Sequence, residues 1–396
     1  MTADSFDPTA QLPGPPEPWA YASTPSWRDG PPYHLTDMIA AEPGVARRIV
    51  GRLAGDASVA RLADTVRSTA SSGAPIVITG CGTSETAAMG MVDILRDAIR
   101  SAGHADAVVL SEQAFELAQD PPSRGLVIGV SHEGGTSATN AALRVSRAAG
   151  AQTAVVTVSE RSPARQFADV VIETGELDQS WCHSIGFVSP MVAAAVVGAR
   201  LTGANLDGEA IANLLEGGAS DQDGATRIAD RFGSAAHLLV VASGVDRPAG
   251  REMALKVEEA SWLPSAYRDL ETFLHGHLPA TNPETALVLI LADRLARPER
   301  VARATQALAA ANVIGLRSAA ILAEALDGEI DPALTPAGRL LVPDDDRLPA
   351  PVSALMGTAS ALQLLTERIA RARGKNPDLI RREDDVYRRA AEAAGG

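Results

Sequence analysis

The sequence predicts an α/β protein made of two parallel-sheet domains in tandem, and three observations carry that expectation. Short apolar runs lead into Gly-rich turns and then into helical stretches, and this strand–turn–helix unit recurs in the second half of the chain. The apolar share is 46% with only 4% aromatics, so the cores must be filled by Ala, Val, Leu and Ile, which suits helices packed on parallel strands. A length of 396 residues exceeds one ordinary core and favours two.

Residues 1–32 are rich in Pro, Ser, Thr and Gly, lack periodicity and read as a flexible N-terminal arm. From Leu35 to Leu53 apolar residues recur at helical spacing, predicting one or two short helices. The first full unit is the run Ile76–Ile78, the turn Gly80–Ser84 and a helix carrying Met91, Val92, Leu95 and Ile99. The second runs from Leu126–Val130 through Ser131–Thr136 into a helix with Leu143 and Val145, followed by strands at Ala154–Val158 and Val170–Ile172. An apolar helix, Met191–Leu201, and a polar Gly-rich stretch, Glu216–Gly224, separate this half from the next. There His237–Ala242 leads into Ser243–Asp246 and a helix over Arg251–Ser261. Further strands are expected at Ala286–Leu291, Val313–Leu316 and Arg339–Val342, and a closing helix at Val352–Ala372. The boundaries predicted are 33–205 and 206–372 for the two domains, with a C-terminal tail at 373–396.

A formal charge of −14 without a basic block argues against nucleic acid as a partner. Any anionic ligand must be held by local loops and helix ends against the overall field. Cys81 and Cys182 form neither a metal-ligand nor a disulfide pattern, which fits a reducing, cytoplasmic location. The start of the chain lacks the basic and apolar regions of a signal peptide, and no later stretch reads as the ~18 uninterrupted apolar residues of a membrane span.

The turn Gly80-Cys81-Gly82-Thr83-Ser84-Glu85 lies between a strand and a helix, where free N–H groups and the helix dipole favour an anion and the hydroxyls of Thr83 and Ser84 add donors. The alternative is that Ser84 is only an N-cap. The spacing does not match G-x-G-x-x-G, so no dinucleotide and no other cofactor is expected. A second loop, Ser131-His132-Glu133-Gly134-Gly135-Thr136, also ends a strand, and open α/β sheets bind ligands beyond those ends. His275-Gly276-His277 lacks the carboxylate–histidine company of a metal site.

These two loops, the stretch Ala254-Leu255-Lys256-Val257-Glu258-Glu259-Ala260-Ser261 and the later Leu274-His275-Gly276 resemble the isomerase half of glucosamine-6-phosphate synthase and its sugar isomerase (SIS) domain relatives. The resemblance runs from about Tyr33 to the C-terminus. It implies two flavodoxin-like SIS domains, a tail that closes over the active site, and a homodimer with shared sites. It places the substrate phosphate on Gly82, Thr83, Ser84, Ser131 and Thr136. The glutamate that shuttles a proton between sugar C1 and C2 falls on Glu259, with Lys256 one helical turn earlier beside it. The histidine that opens the sugar ring, supplied by the neighbouring subunit, falls on His275. The region Asp178–Ser184 covers the sugar in the family, making Trp181 and His183 candidate contacts. Elementary chemistry agrees: aldose–ketose interconversion needs a carboxylate to carry a proton between carbons and an imidazole-type group to move protons at the ring oxygen.

Three departures narrow the reading. The chain opens Met1-Thr2-Ala3 in place of a glutaminase domain with an N-terminal cysteine, so ammonia from glutamine would need a separate subunit. Arg381 stands where the family tail has a lysine able to form a Schiff base, and arginine cannot form the imine. Glu133, beside His132, replaces a small hydroxyl in the second loop. A carboxylate ~4 Å from one phosphate charge costs about 4 kcal/mol at an effective dielectric of about 20, roughly several hundredfold in affinity. Glu133 therefore points away, pairs with a cation, or faces a ligand that is not a simple phosphate. The expected activity is aldose–ketose isomerisation of a sugar phosphate or amino sugar. Amino-sugar-phosphate deamination and a non-catalytic sugar-phosphate-binding regulator are the alternatives.

Overall fold

Short runs of Val, Ile and Leu pair side by side into two five-stranded parallel sheets in the computed structural model, which describes residues 6–14 and 24–394. The first sheet contains β1 (Ile76–Gly80), β2 (Val109–Gln113), β3 (Leu126–Val130), β4 (Gln152–Thr157) and β5 (Val170–Glu173), in the order β2-β1-β3-β4-β5. The second contains β6 (His237–Ala242), β7 (Ser265–Asp269), β8 (Thr285–Leu291), β9 (Arg317–Ala323) and β10 (Gly338–Val342), in the order β10-β9-β8-β6-β7. Counted from the first strand of each half, both orders are the flavodoxin-like 2-1-3-4-5. β1 and β3 are buried at every position because helices cover both faces, as parallel sheets require. The edge strands β2 and β7, with Ser-Glu-Gln and Tyr-Arg-Asp, lack that apolar signature and were not foreseen.

The helices are α1 (His34–Leu53), α2 (Ala57–Ser71), α3 (Thr83–Ser101), α4 (Ala114–Gln119), α5 (Ser137–Ala149), α6 (Ile185–Thr202), α7 (Gly208–Gly218), α8 (Gln222–Phe232), α9 (Arg247–Ser261), the single turn α10 (Leu270–Thr272), α11 (Arg297–Ile314), α12 (Ala350–Ala372) and α13 (Asp385–Ala393). α3 packs on α6, and α12 packs on α9, α7 and α8. Contacts between α3 and α9 and between α12 and α6 join the halves. One contiguous apolar cluster therefore runs through both halves, and a smaller one lies under α4 and α5 on the outer face of the first sheet. The expectation of two separate cores gives way to a shared one, because the helices between the sheets are apolar on more than one side.

α6 shows this most strongly. By length and composition it could cross a membrane, contrary to the sequence reading, yet its residues are almost all buried among α1, α2, α3 and α12. The expected helices at Leu35–Leu53 form one helix that runs through Pro43. The strand expected at Val313–Leu316 is displaced: α11 continues to Ile314, Val313 is exposed, and the strand starts at Arg317 after Gly315 ends the helix. The Gly-rich stretch at 216–224 holds the end of α7 and the start of α8, with its glycines set against other elements. Gly218 faces the Gly357 carbonyl at 2.6 Å from where a Cβ would stand, so only glycine lets α7 approach α12 this closely.

The described parts of the expected arm are held to the body. Leu12 is buried, the Leu177 N–H donates to the Pro13 carbonyl at 3.1 Å, and Arg28 pairs with Asp37 at 2.7 Å. Residues 1–5 and 15–23 of that arm lie outside the described residues. At the other end Asp378 is buried and caps α1, accepting the His34 and Leu35 N–H groups at 2.9 Å each.

Gly125, before β3, has φ +95°, and a Cβ there would lie 2.2 Å from the Pro75 carbonyl oxygen. Gly125→Ala is expected to lower stability by about 2–3 kcal/mol in urea unfolding. Gly51→Ala, in open space on α1, should be neutral or stabilise by up to about 1 kcal/mol. Equal effects from the two would contradict this account of the strand entry.

Candidate functional site

β1 and β3 are neighbours whose connections leave in opposite directions, β1 toward β2 and β3 toward β4. That is the switch point where open α/β sheets hold ligands, and the two hydroxyl-rich loops are the ones that follow these strands. After β1 the chain turns at Gly82, φ +57°, and α3 begins at Thr83. Thr83 is buried and Ser84 half-buried. After β3, Ser131 is buried and its Oγ donates to Thr136 Oγ1 at 3.3 Å, while Thr136 is exposed. Asn140 Nδ2 donates to the Gly134 carbonyl at 3.1 Å and fixes the loop against α5. Cys81 of the first loop lies 3.9 Å from Thr139 at the start of α5, so the two loops sit side by side.

The second half reaches this crevice through α9. A Cβ on Gly82 would meet Leu255 at 3.9 Å, and Thr86 of α3 is hydrogen-bonded to Glu252. Lys256 is 1% exposed and lies between two carboxylates, its Nζ 2.5 Å from Glu259 Oε2 and 3.8 Å from Glu252 Oε1. Burial opposes the Lys256 ammonium, but Glu259 and Glu252 together hold its pKa above the ordinary lysine value. Burial pushes the Glu252 carboxyl up, against the pull of Lys256 and Thr86. Glu259, with 23% of its side chain exposed, is the open member of this group.

The stretch before α6 forms a third wall around Asp178. This buried carboxylate accepts the Ser184 and Ile185 N–H groups at 2.8 Å each and that of Gly186 at 3.3 Å on Oδ2, and the Ser180 N–H at 3.1 Å on Oδ1. It thus occupies the N-terminus of α6, and despite its burial the surrounding histidines and N–H groups hold its pKa below the ordinary value. Its own N–H donates to His132 Nε2 at 2.9 Å. His132 is buried, and burial with His183 alongside pushes it down to about 4, so it stays a neutral acceptor. His132 is thereby tied to the backbone and shapes the loop. The His183 ring lies 5.4 Å from it, with Nδ1 3.6 Å from Asp178 Oδ2. Burial works against protonation of His183, but Asp178 outweighs it, aided by Glu133, and its pKa rises. The Glu133 charge flagged in the sequence thus acts on an imidazole.

The tail closes against the same region through cation–π contacts. Arg382 lies 4.9 Å from the Trp181 ring, and the Trp181 backbone N–H donates to the Asp378 carbonyl at 3.0 Å. Trp262, just past α9, is covered by Lys375 at 4.0 Å and Arg381 at 4.4 Å, and Arg381 also stacks on Tyr387 at 3.6 Å. His275 faces solvent. It is 72% exposed on the irregular segment after β7, and its Nδ1 is 2.8 Å from Glu271.

The equivalent crevice of the second sheet, beyond β6 and β8, is filled by its own side chains. Asp246 Oδ2 accepts the Ala292 and Asp293 N–H groups at 2.8 and 3.0 Å, and Asp293 accepts the Val245 N–H at 3.1 Å. Arg300 bonds Ser243 Oγ at 2.6 Å and lies 3.3 Å from Asp293. Burial pushes Asp246 up to about 7. The clefts at the C-terminal end of α6 are lined by residues such as Val50, Ala199 and Leu206, with Asp56 and Arg200 in one and Asp97, Asp346 and Arg347 in the other.

Sequence reasoning missed Asp178, Glu252 and Glu42. Glu252 and Lys256 stand at i,i+4, a readable signal, whereas Asp178 caps a helix from seven residues before its start, beyond any local capping rule. Glu42 of α1 is fully buried and accepts the Ser360 hydroxyl of α12 at 2.5 Å. Burial pushes it up to about 8, opposed by Ser360 and Gln363 and reinforced by the Asp178 charge.

Residues 70–199 match the SIS domain family. No curated protein matches the chain in sequence. Among solved structures, the C-terminal domain of glucosamine-fructose-6-phosphate aminotransferase from Francisella tularensis is similar at a TM-score of 0.74 and 19% identity, over 89% of this chain and 99% of that one. Tagatose-6-phosphate ketose/aldose isomerase from Escherichia coli gives 0.66 and 17%, over 90% and 97%. Glucosamine-6-phosphate deaminase from Thermotoga maritima gives 0.59 and 16%, over 87% and 96%. At these identities the likeness establishes the two-domain fold.

Two outcomes are expected from the buried charges. Lys256→Met leaves Glu252 and Glu259 without their cation and should cost about 3–5 kcal/mol in urea unfolding; a loss below about 1 kcal/mol would contradict the pairing. Glu42 has a folded pKa raised from 4.5 to about 8, so its contribution is fully present below about 4.5 and is lost as pH rises toward 8. That loss is about 3–5 kcal/mol. The stability of Glu42→Gln relative to the parent should therefore climb across this window, and parallel stability–pH curves would refute it.

Proposed function

We propose that this chain, with an SIS domain over residues 70–199 and a two-sheet fold shared with sugar-phosphate isomerases, catalyses aldose–ketose isomerisation of a sugar phosphate or amino-sugar phosphate by proton transfer between C1 and C2. The observation that carries this reading is the Glu252–Lys256–Glu259 group. Two members are buried and Glu259 is partly open, on a helix whose Leu255 meets Gly82 of the first hydroxyl-lined loop and whose Glu252 is bonded to Thr86 just after it. Thr83, Ser84, Ser131 and Thr136 receive the phosphate or polar end of the sugar, helped by the α3 N-terminus. Glu259 takes the proton from C2 of the aldose, or from C1 of the ketose, and returns it to the other carbon of the enediol. Lys256 keeps this carboxylate in place and balances its charge.

Glu133 acts on the imidazole of His183, where Asp178 is the larger influence, so a cationic imidazole beside the second loop would ease the repulsion of a phosphate there. Arg381 lies on Trp262 and Tyr387 as a guanidinium, which favours proton-transfer chemistry over a mechanism through a lysine imine. The exposure of His275 suits a homodimer in which this segment reaches the neighbouring subunit's crevice.

The test is hydrogen exchange in deuterium oxide, followed by proton NMR, with tagatose 6-phosphate, fructose 6-phosphate and glucosamine 6-phosphate. The parent should exchange the hydrogen on the carbon beside the carbonyl of at least one. Glu259→Gln should slow that exchange by about 10²–10⁴-fold while binding survives. Undiminished exchange in the variant would remove Glu259 from the reaction.

A further inference from the structure

The crevice holds two adjacent imidazoles, His132 and His183, with opposite surroundings. His132 is buried and its Nε2 accepts a backbone N–H. His183 turns its buried Nδ1 toward the Asp178 carboxylate at 3.6 Å, yet keeps 26% of its side chain exposed. Since Nδ1 is the covered edge, the accessible part of the ring is the opposite edge, which carries Nε2. Asp178 is itself immobilised by four backbone N–H groups, and at 3.6 Å it sets a fixed negative charge beside the ring without a hydrogen bond to Nδ1. Cys182, the preceding residue, belongs to one buried cluster with Ala260, the residue after Glu259, which brings His183 to the same end of α9 as the candidate base.

We propose that His183, oriented by Asp178, is the imidazole that moves the proton at the sugar ring oxygen, acting from within the same chain as Glu259. This role rests on the isomerase reading above. In the step, the His183 imidazolium gives its Nε2 proton to the ring oxygen as the bond from that oxygen to the anomeric carbon breaks. The bonding pair stays on the oxygen. The anomeric hydroxyl loses its proton to water as its oxygen forms the carbonyl with the same carbon. Imidazole is left neutral and Asp178 remains a carboxylate. Ring closure reverses each transfer.

The charges facing His183 favour this assignment. Asp178 from its own segment and Glu133 from the loop after β3 support the imidazolium, while Lys256 from α9 opposes it. Lys256 is itself balanced by Glu259 and Glu252. His132 stays neutral and does not compete for the proton. Glu42 of α1 acts on Asp178. Neighbouring titratable groups driven apart in pKa are the usual arrangement for dividing proton transfers between residues. His275, by contrast, faces solvent beside Glu271.

Two measurements on the full-length protein decide the matter. Histidine Cε1–H NMR titration, with His183 assigned through His183→Gln, should find it titrating above about 6.5, the ordinary imidazole value. Both Asp178→Asn and Glu133→Gln should lower it, the second serving if the first fails to fold. A His183 that titrates below this value, or ignores Glu133→Gln and every foldable Asp178 variant, overturns the proposal. Turnover of tagatose 6-phosphate, fructose 6-phosphate and glucosamine 6-phosphate is then compared across pH. His183→Gln should lower kcat by about 10²–10³-fold with KM changed less than about threefold, and should abolish the alkaline fall that reports loss of the imidazolium. Survival of that fall in His183→Gln with its loss in His275→Gln would transfer the role to His275. A parent that turns over none of the three sugars while His183 still titrates high would refute the isomerase reading and the catalytic role together, leaving the Asp178–His183 pair intact.

Discussion

A single buried carboxylate organises the centre of this molecule. Asp178 occupies the N-terminus of the apolar helix α6, where an anion meets both unbonded N–H groups and the positive end of the helix dipole. An aspartate in this place would be costly without partners, so the loop from 178 to 186 folds around it and donates four N–H groups. His132 is fastened through the N–H of the same residue, and His183 lies 3.6 Å from its oxygen. The second loop of the crevice, the entry to α6 and the side of the pocket thus share one electrostatic anchor.

Duplication supplied two crevices, and the halves have spent them differently. In the first, glycines and small hydroxyls form the loops beyond β1 and β3. In the second, Asp246, Asp293 and Arg300 fill the corresponding space and bond the loop N–H groups that a ligand would otherwise take. The second half contributes α9 instead, laying a lysine–carboxylate group across the first crevice. The apolar cluster that runs through both halves gives that group a rigid base.

How much of this could be read in advance follows from the range of each interaction. Strands buried on both faces, such as Leu126–Val130, announced themselves, while β2 and β7 carry polar residues at sheet edges and did not. The two loops were legible because glycines and hydroxyls between a strand and a helix have a local meaning. The lysine–glutamate group was half legible: Lys256 and Glu259 were singled out, but Glu252 gains its role from Thr86, 166 residues earlier. Asp178 and Glu42 acquire theirs through contacts across the fold. The strand misplaced at Val313–Leu316 shows the ambiguity of short apolar runs, since that segment is a helix end with one valine facing solvent.

The capping of α1 by Asp378 has a consequence for how the molecule is made. The first turn of α1 is completed by a residue 344 positions later in the chain. Until that aspartate arrives, two amides at the helix start must be satisfied by water, and the tail that lies over Trp181 and Trp262 has no seat. Closure of so long a loop belongs to the last, slow stage of assembly. α1 therefore reaches its finished form only after Asp378 has been made and has met it.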